Sequence, residues 1–163
     1  MKRRSFIKRT SLWTASVFMP LSLTGRILFK PLPKVLIIGD SISIGYTPFV
    51  KQILGVIAGV YHNPGNGRYT GFGLEKLDEW LGEKRWDVIH FNWGLWDLCY
   101  RDNADNPGSK NKMNGTLTHT LEEYRENLEK LVSKLKQTGA GLIFATTTPV
   151  PEGEPGRIAG DEI

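Results

Sequence analysis

The chain has 163 residues, of which 40% are hydrophobic and 23% are charged. This composition indicates one globular domain with a sizeable core, and it excludes a disordered or collagen-like protein. A single cysteine, Cys99, excludes an intrachain disulfide and leaves a CxxC metal or redox site without a partner. The net charge of +4 belongs to the first 26 residues, which hold six of the 21 basic residues and no acid. The remainder has 15 basic against 17 acidic residues, so nucleic-acid binding has no electrostatic support.

The first 30 residues are predicted to be a targeting segment and linker outside the fold. Residues 2–8 read KRRSFIK, which resembles the twin-arginine export signal. The apolar stretch over residues 12–23 would cover about 18 Å as a helix, short of a roughly 30 Å hydrocarbon core. We therefore expect export to the periplasm or cell envelope, with the signal, cleaved or kept as an anchor, as the only membrane contact. A basic amphipathic N-terminal helix is the alternative.

The domain predicted over residues 31–163 begins with a strand, a helix and a second strand. Residues 34–39 form a continuous apolar run, KVLIIG, which is typical of a strand buried on both faces. A helical stretch follows over residues 46–54. Residues 56–62 are a second strand candidate, which Gly59 weakens.

The second half of the domain continues the alternation of helices and strands. Leucine and tryptophan residues at helical spacing predict a second helix. Residues 86–91 are a third strand candidate. Residues 95–117 are polar and without periodicity, which predicts a long, functional loop. The clearest helical pattern follows, opened by the capping-box spacing of Thr120 and Glu123. A fourth strand is predicted at residues 141–146.

The order of these elements predicts the fold class. Strands that alternate with helices indicate a three-layer α/β/α fold, a parallel sheet with helices on both faces and right-handed crossovers. Ligands bind such sheets beyond the carboxyl ends of the strands. Functional residues should therefore follow Gly39, His62, Asn92 and Thr146.

A serine stands on the predicted turn after the first strand. Such a turn exposes the Ser41 hydroxyl beside the N–H groups of the next helix, which suits a nucleophile whose attack creates an oxyanion. An ordinary serine-capped turn is the alternative. Residues 39–46, GDSISIGY, resemble the first sequence block of the SGNH (GDSL) hydrolase superfamily. The resemblance implies that Ser41 is the nucleophile, that Asp40 shapes the turn, and that Ser43, inside the following turn, is less suited.

The same resemblance covers residues 34 to about 155 and implies a flavodoxin-like strand order of 2-1-3-4, with the fifth strand missing. It also implies donors for the oxyanion. A backbone N–H from a glycine after the second strand would be that of Gly67, with Gly65 as the alternative. The third block, Gly-x-Asn-Asp in the family, reads GLWD at residues 94–97. Trp96 thus stands at the asparagine position, and Asn92 is an alternative donor.

The fourth block of the family, Asp-x-x-His, has no counterpart in the chain. The three histidines are His62, His90 and His119, and none follows an aspartate by three residues. The resemblance therefore implies an incomplete exported serine esterase whose catalytic histidine and aspartate lie beyond residue 163. Acetylated carbohydrate fits as a substrate by analogy, and neither cofactor nor metal is expected, because the histidines and acids lack ligand spacing. The alternative is a non-catalytic binding module or an inactive fragment.

Overall fold

The computed structural model describes residues 31–103, 106 and 109–157. The predicted export segment lies outside the described residues. Within them the elements, in chain order, are β1 (Lys34–Ile38), α1 (Ser41–Leu54), β2 (Gly59–His62), α2 (Thr70–Leu81), β3 (Val88–Phe91), β4 (Tyr100–Arg101), β5 (Thr116–Leu117), α3 (Leu121–Gln137) and β6 (Gly141–Phe144). None of these helices combines the length and the apolar character that a membrane crossing requires.

The larger sheet has four parallel strands in the order β2-β1-β3-β6. Because β6 is the fourth strand predicted from the sequence, the α/β class and the predicted order are confirmed. In this register Ile37 of β1 lies between His62 of β2 and His90 of β3. All four strands run in the same direction, so the turns that follow them meet at one edge of the sheet.

The sheet separates α1 from the other two helices. One face carries the main core, in which strand residues pack against α2 and α3: Leu36, Ile38, Leu77, Trp80, Ile89, Phe91, Leu131 and Leu135. Side chains alternate along a strand, so Ile37 and His90 point to the opposite face. There the ring of Tyr46, on α1, meets the ring of His90 edge-on. The helices thus cover both faces, as the alternation of elements predicts.

Differences from the sequence prediction are concentrated at element ends and in one loop. Helix α1 begins at Ser41 and not at residue 46, because the side chain of Asp40 caps its first turn. The predicted loop over residues 95–117 contains a second, antiparallel sheet, in which Tyr100 pairs with Leu117. A pairing of two residues on each side is too short to leave a periodic pattern in the sequence.

Apolar side chains remain exposed on α1 and β6. Phe49 and Ile53 of α1 are 66% and 73% exposed. The apolar sequence of β6 predicts cover on both faces, yet Ile143 and Phe144 are 52% and 42% exposed. β6 is also the last strand of the sheet in the described part of the chain.

Asp87 holds the amino ends of three strands together. Its side chain accepts a hydrogen bond from the Lys34 amide at 2.7 Å, and its own amide donates to the Lys34 carbonyl at 2.9 Å. The Asp87 carbonyl accepts from the amide of Gly141 at 2.9 Å. The starts of β1, β3 and β6 are therefore fixed at the edge of the sheet opposite the polar turns.

Candidate active site

The turn between β1 and α1 places Ser41 at the start of a long helix. Asp40 is the N-cap residue, and its Oδ1 accepts a hydrogen bond from the Ile42 amide at 2.9 Å. Asp40 is buried, whereas Ser41 is exposed as the first residue of α1. The first amides of a helix carry partial positive charge, so negative charge that develops beside Ser41 is stabilised there.

Gly67, the predicted backbone donor, contacts this turn directly. Its amide donates to the Gly39 carbonyl at 2.8 Å. A Cβ atom at residue 67 would lie 2.6 Å from that same carbonyl oxygen, which is why only glycine fits. The alternative, Gly65, has a positive φ of 67° and open space around it. The Gly67 amide thus links the turn after β2 to the turn after β1.

Asn92 lies at the end of β3 and also bonds to backbone. Its side-chain amide donates to the Ala145 carbonyl at 2.6 Å, and its main-chain amide donates to Ile38 at 3.1 Å. The indole N–H of the neighbouring Trp93 donates to the Gly67 carbonyl at 3.2 Å. These bonds connect three of the four turns at the carboxyl edge of the sheet.

Trp96, at the position of the family's asparagine, is buried against a basic side chain. The guanidinium of Arg101 lies 4.2 Å from the centroid of its ring, a distance typical of a cation–π contact. Trp96 and Ser41 line the same cavity, of about 290 Å³, whose other lining residues are Asp40, Ile42, Leu95, Arg101, Lys110 and Arg157. The structure therefore brings Ser41 and Trp96 to one cavity.

A second, smaller cavity lies beside the same turn. It has a volume of about 170 Å³ and is lined by Ile42, Ser43, Tyr46, Asn92, Leu95 and residues 145–148. Asn92 therefore faces a different cavity from Ser41 and Trp96. The two cavities share Ile42 and Leu95, which separate the nucleophile candidate from the asparagine candidate.

His62 at the end of β2 bonds to Ser43 and not to Ser41. The distance from His62 Nε2 to Ser43 Oγ is 2.6 Å. His62 Nδ1 lies 2.6 Å from the carbonyl of Asn63, which can only accept, so Nδ1 carries a proton. Burial lowers the pKa of His62. Ser43 itself is buried, and its hydroxyl also lies 2.7 Å from the Asp40 carbonyl.

His119 forms a pair with a buried carboxylate. Its Nδ1 lies 2.8 Å from Asp97 Oδ1, which also accepts from the amide of Thr70 at 2.9 Å. The hydrogen bond to Asp97 raises the pKa of His119. Burial raises the pKa of the nearby Tyr124 to about 12, and the charge of Asp97 adds to that effect. This cluster fixes the start of α2 and lies outside both cavities described above.

Two of these relationships are absent from the sequence interpretation. The contact between Ser43 and His62 could have been predicted, because His62 ends β2 and Ser43 follows β1, so both lie at the carboxyl edge of the parallel sheet. The pair of Asp97 and His119 had none, because 22 positions of aperiodic sequence separate them. His90, the third histidine, lies 3.5 Å from the Tyr46 hydroxyl. Each of the three histidines thus contacts a residue other than Ser41.

Comparison with solved structures finds the same fold in several proteins, among them a candidate acylhydrolase and an acetyl xylan esterase. A candidate acylhydrolase from Bacteroides fragilis superposes with a TM-score of 0.54 at 17% identity, over 73% of this chain and 52% of that one. TesA gives 0.53 at 17% identity, over 71% and 62%. The acetyl xylan esterase AlAXEase gives 0.52 at 15%, over 68% and 56%.

The chain spans between 52% and 62% of the length of these three solved chains. No family model matches the chain, and no curated protein is similar to it in sequence. The likeness is therefore one of fold, that of a parallel α/β sheet with helices on both faces in this chain.

Proposed function

We propose that the chain is the core of an ester hydrolase of the SGNH type, with Ser41 as its nucleophile. The observation that supports this most is the position of Ser41. It is an exposed serine at the N-terminus of a 14-residue helix, on the turn after the inner strand β1, and it lines a cavity of about 290 Å³. In doubly wound sheets this edge is where ligands bind. The fold is shared with acyl-cleaving and ester-cleaving proteins.

In the proposed reaction, Ser41 Oγ forms a bond to the ester carbonyl carbon, and the alcohol leaves as the tetrahedral intermediate collapses. Water then cleaves the acyl-serine and releases the acid. The main-chain amide of Ser41 is the first oxyanion donor, and Gly67 is the second. The third is Trp96, which lines the same cavity as Ser41, or Asn92, which would have to turn from the neighbouring cavity. Gly67 and Asn92 would have to exchange their present acceptors, Gly39 and Ala145, for the oxyanion.

The reaction also needs a base for the Ser41 proton. His62, His90 and His119 are engaged by Ser43, Tyr46 and Asp97, respectively. As the resemblance to SGNH hydrolases implies, the proposed base is a histidine beyond residue 163, oriented by an aspartate.

Labelling by a fluorophosphonate, which reacts covalently with activated serines, tests the nucleophile. We expect labelling of the longest natural form of the protein to disappear in Ser41→Ala. The control Ser133→Ala removes a serine on α3, away from the turn that carries Ser41, and should label like the wild type. Undiminished labelling in Ser41→Ala would reject the assignment, and loss in Ser43→Ala alone would move it to Ser43.

A non-catalytic binding module is the second candidate function. It is favoured by one observation, that none of the histidines among the described residues hydrogen-bonds to Ser41. A binding module would keep the cavity but would not react with the fluorophosphonate. The same labelling experiment, performed on protein whose fold is verified by circular dichroism, therefore separates the two functions.

Export and a carbohydrate ester are the finer parts of the proposal. The order of basic and apolar residues in KRRSFIK supports the twin-arginine route. One of the neighbours of similar fold is an acetyl xylan esterase, which supports acetylated carbohydrate as the substrate class. Replacement of Arg3 and Arg4 by lysine should keep a fused reporter in the cytoplasm. Unchanged transfer to the cell envelope would contradict the route.

A further inference from the structure

Trp96, which lines the cavity beside Ser41, is only 6% exposed. Among the described residues, no group accepts a hydrogen bond from its indole N–H. A buried tryptophan usually finds an acceptor for this group, because an unpaired polar group away from water is costly. Trp86 and Trp93 follow this rule, since each donates to a main-chain carbonyl. Trp80, the other described indole without such an acceptor, lies on α2 outside both cavities. The N–H of Trp96 is therefore available to an acceptor that enters the cavity beside Ser41.

Asn92, the other candidate for the third oxyanion donor, differs from Trp96 in two respects. Its side-chain amide already donates to the Ala145 carbonyl at 2.6 Å, and it lines the neighbouring cavity. To reach an oxyanion on Ser41, the amide would have to turn away from that carbonyl, which costs a hydrogen bond. Trp96 requires no such exchange.

Arg157 holds the residue that precedes Trp96. Its Nε donates to the Leu95 carbonyl at 2.7 Å, and its Nη2 donates to the same oxygen. Its Nη1 lies 3.1 Å from the carboxylate of Glu154, and the whole residue is only 8% exposed. Because the guanidinium is a rigid, planar fork, several bonds made together fix the position of the Leu95 carbonyl.

The residue that follows Trp96 is fixed as well. Asp97 is fully buried and accepts from the amide of Thr70 at 2.9 Å and from His119 Nδ1 at 2.8 Å. The main chain is thus held on both sides of Trp96. Of these two contacts, only that of Arg157 with Leu95 lies in the lining of the cavity beside Ser41.

We infer that the indole N–H of Trp96 is the third oxyanion donor and that Arg157 positions it through the Leu95 carbonyl. This inference rests on the proposed function, since it assigns a donor to the Ser41 reaction. As Ser41 Oγ bonds to the ester carbonyl carbon, the carbonyl oxygen gains negative charge and accepts from the Trp96 N–H. This bond is stronger in the transition state than in the bound ester, and it therefore accelerates the reaction. Arg157 is a positioning residue, because it acts through Leu95 and Trp96.

Esterase kinetics of the longest natural form of the protein test the donor. Trp96→Phe removes the N–H but keeps an aromatic ring beside Arg101. We expect kcat for p-nitrophenyl acetate to fall about 10²-fold, with KM nearly unchanged. The control Trp86→Phe removes an indole N–H that donates to the Leu81 carbonyl, and it should keep the wild-type kcat. An undiminished kcat in Trp96→Phe would overturn the inference.

A double-mutant cycle tests the positioning role. Arg157→Met should lower kcat about tenfold, because the donor is no longer held in place. In the Trp96→Phe background the same change should have little further effect, since the donor is already absent. Arg157→Lys can still make one bond to the Leu95 carbonyl and should recover part of the activity. Arg125→Met, on the exposed surface of α3, is the control. Losses that multiply in the double variant, with melting temperatures intact, would reject action through Trp96.

The indole N–H signal of Trp96 in proton–nitrogen NMR spectra separates this inference from the proposed function. The signal is identified by its absence in Trp96→Phe, and it should shift in Arg157→Met but not in Arg125→Met. An unshifted signal rejects the positioning role whether or not the protein cleaves esters. Ser41-dependent hydrolysis that survives Trp96→Phe leaves the esterase in place and rejects the donor. A wild type without hydrolysis rejects the esterase and the donor, whereas a shifted signal then still supports the positioning of Trp96 by Arg157.

Discussion

Ser43 Oγ lies 2.6 Å from His62 Nε2, and this contact engages the histidine at the end of β2. Because Nδ1 of neutral His62 donates to the Asn63 carbonyl, Nε2 must accept from the Ser43 hydroxyl. Ser43 can then no longer donate to the Asp40 carbonyl, which it reaches at 2.7 Å. When His62 is protonated, Nε2 donates instead, and Ser43 is free to donate to Asp40. The protonation state of His62 thus determines whether the Ser43 hydroxyl donates to His62 or to the Asp40 carbonyl, which lies on the turn before Ser41.

The lowered pKa of His62 predicts a loss of stability in acid. Burial, the largest cause, lowers this pKa below its ordinary value of 6.5. Between the folded pKa and 6.5, the unfolded chain binds the proton and the folded chain does not. The contribution of His62 to the free energy of unfolding should therefore fall as the pH drops below about 6.5, relative to its value near neutral pH.

Urea unfolding of the wild type and of His62→Gln, at about pH 7.5 and about pH 5, measures this contribution. We expect the variant to lose less stability over that range than the wild type. Lys51→Gln removes a positive charge that lowers the pKa of His62, so it should reduce the acid sensitivity in part. An identical pH dependence in wild type and His62→Gln would contradict the prediction.

Two aspartates allow a matched comparison of buried and exposed ion pairs. Asp97 is fully buried and accepts from Thr70 and His119. Asp78 pairs with Lys134 at the surface, where its side chain is 77% exposed. Chemical denaturation should show a loss of about 3–5 kcal/mol in Asp97→Ala, and of about 0–1 kcal/mol in Asp78→Ala. Similar losses in the two variants would mean that Asp97 is not an anchor of the fold.

Two glycines near Ser41 should respond to alanine with opposite signs. A methyl group at Gly67 would lie 2.6 Å from the Gly39 carbonyl, so the two turns must separate. We expect Gly67→Ala to lower stability by about 1–3 kcal/mol. Gly45 lies inside α1, where an added methyl group would meet nothing within 4 Å, and Gly45→Ala should raise stability by up to about 1 kcal/mol. Thermal unfolding of both variants checks the signs, and a stable Gly67→Ala would show that the turns can move apart freely.

The position of β6 predicts self-association of the 163-residue chain. In the part of the chain that the structure describes, β6 is the last strand of its sheet, and its Ile143 and Phe144 are exposed; such edges pair with other chains unless a charge prevents it. Light scattering should show a mass that increases with concentration in the wild type and in the apolar control Ile143→Val. Ile143→Lys should shift the protein towards a monomer. A wild type that stays monomeric at high concentration would contradict the prediction.

Most of the fold could be predicted from local patterns. The apolar runs of β1 and β3 and the capping box of Thr120 and Glu123 are confirmed, because short-range chemistry determines them. Element ends were harder to predict: α1 begins at Ser41, directly after its cap Asp40, and not at residue 46. The pair β4-β5 escaped prediction because its hydrogen bonds join residues that carry no periodic pattern.

The candidate site could be predicted from the sequence only where its residues follow the ends of predicted strands. Ser41 could be placed on its turn because a buried strand and a glycine precede it. The bonds of Gly67 to Gly39 and of Asn92 to Ala145 could not be foreseen, because residue type does not indicate which carbonyl an amide will face. The cavity beside Ser41 could not be predicted either, since its lining residues Arg101, Lys110 and Arg157 meet only after the chain folds.

The hydrogen bonds of Asp87 have a consequence for how the sequence of this protein can be varied. They join the starts of β1, β3 and β6 through main-chain groups of Lys34 and Gly141, so strand alignment is decided at the end of the sheet that carries no candidate chemistry. Insertions and exchanges in the turns at the other end would leave that alignment in place. A scaffold that separates alignment from recognition in this way is suited to loop grafting, with new specificities introduced around Ser41 while Asp87 keeps the strands in register.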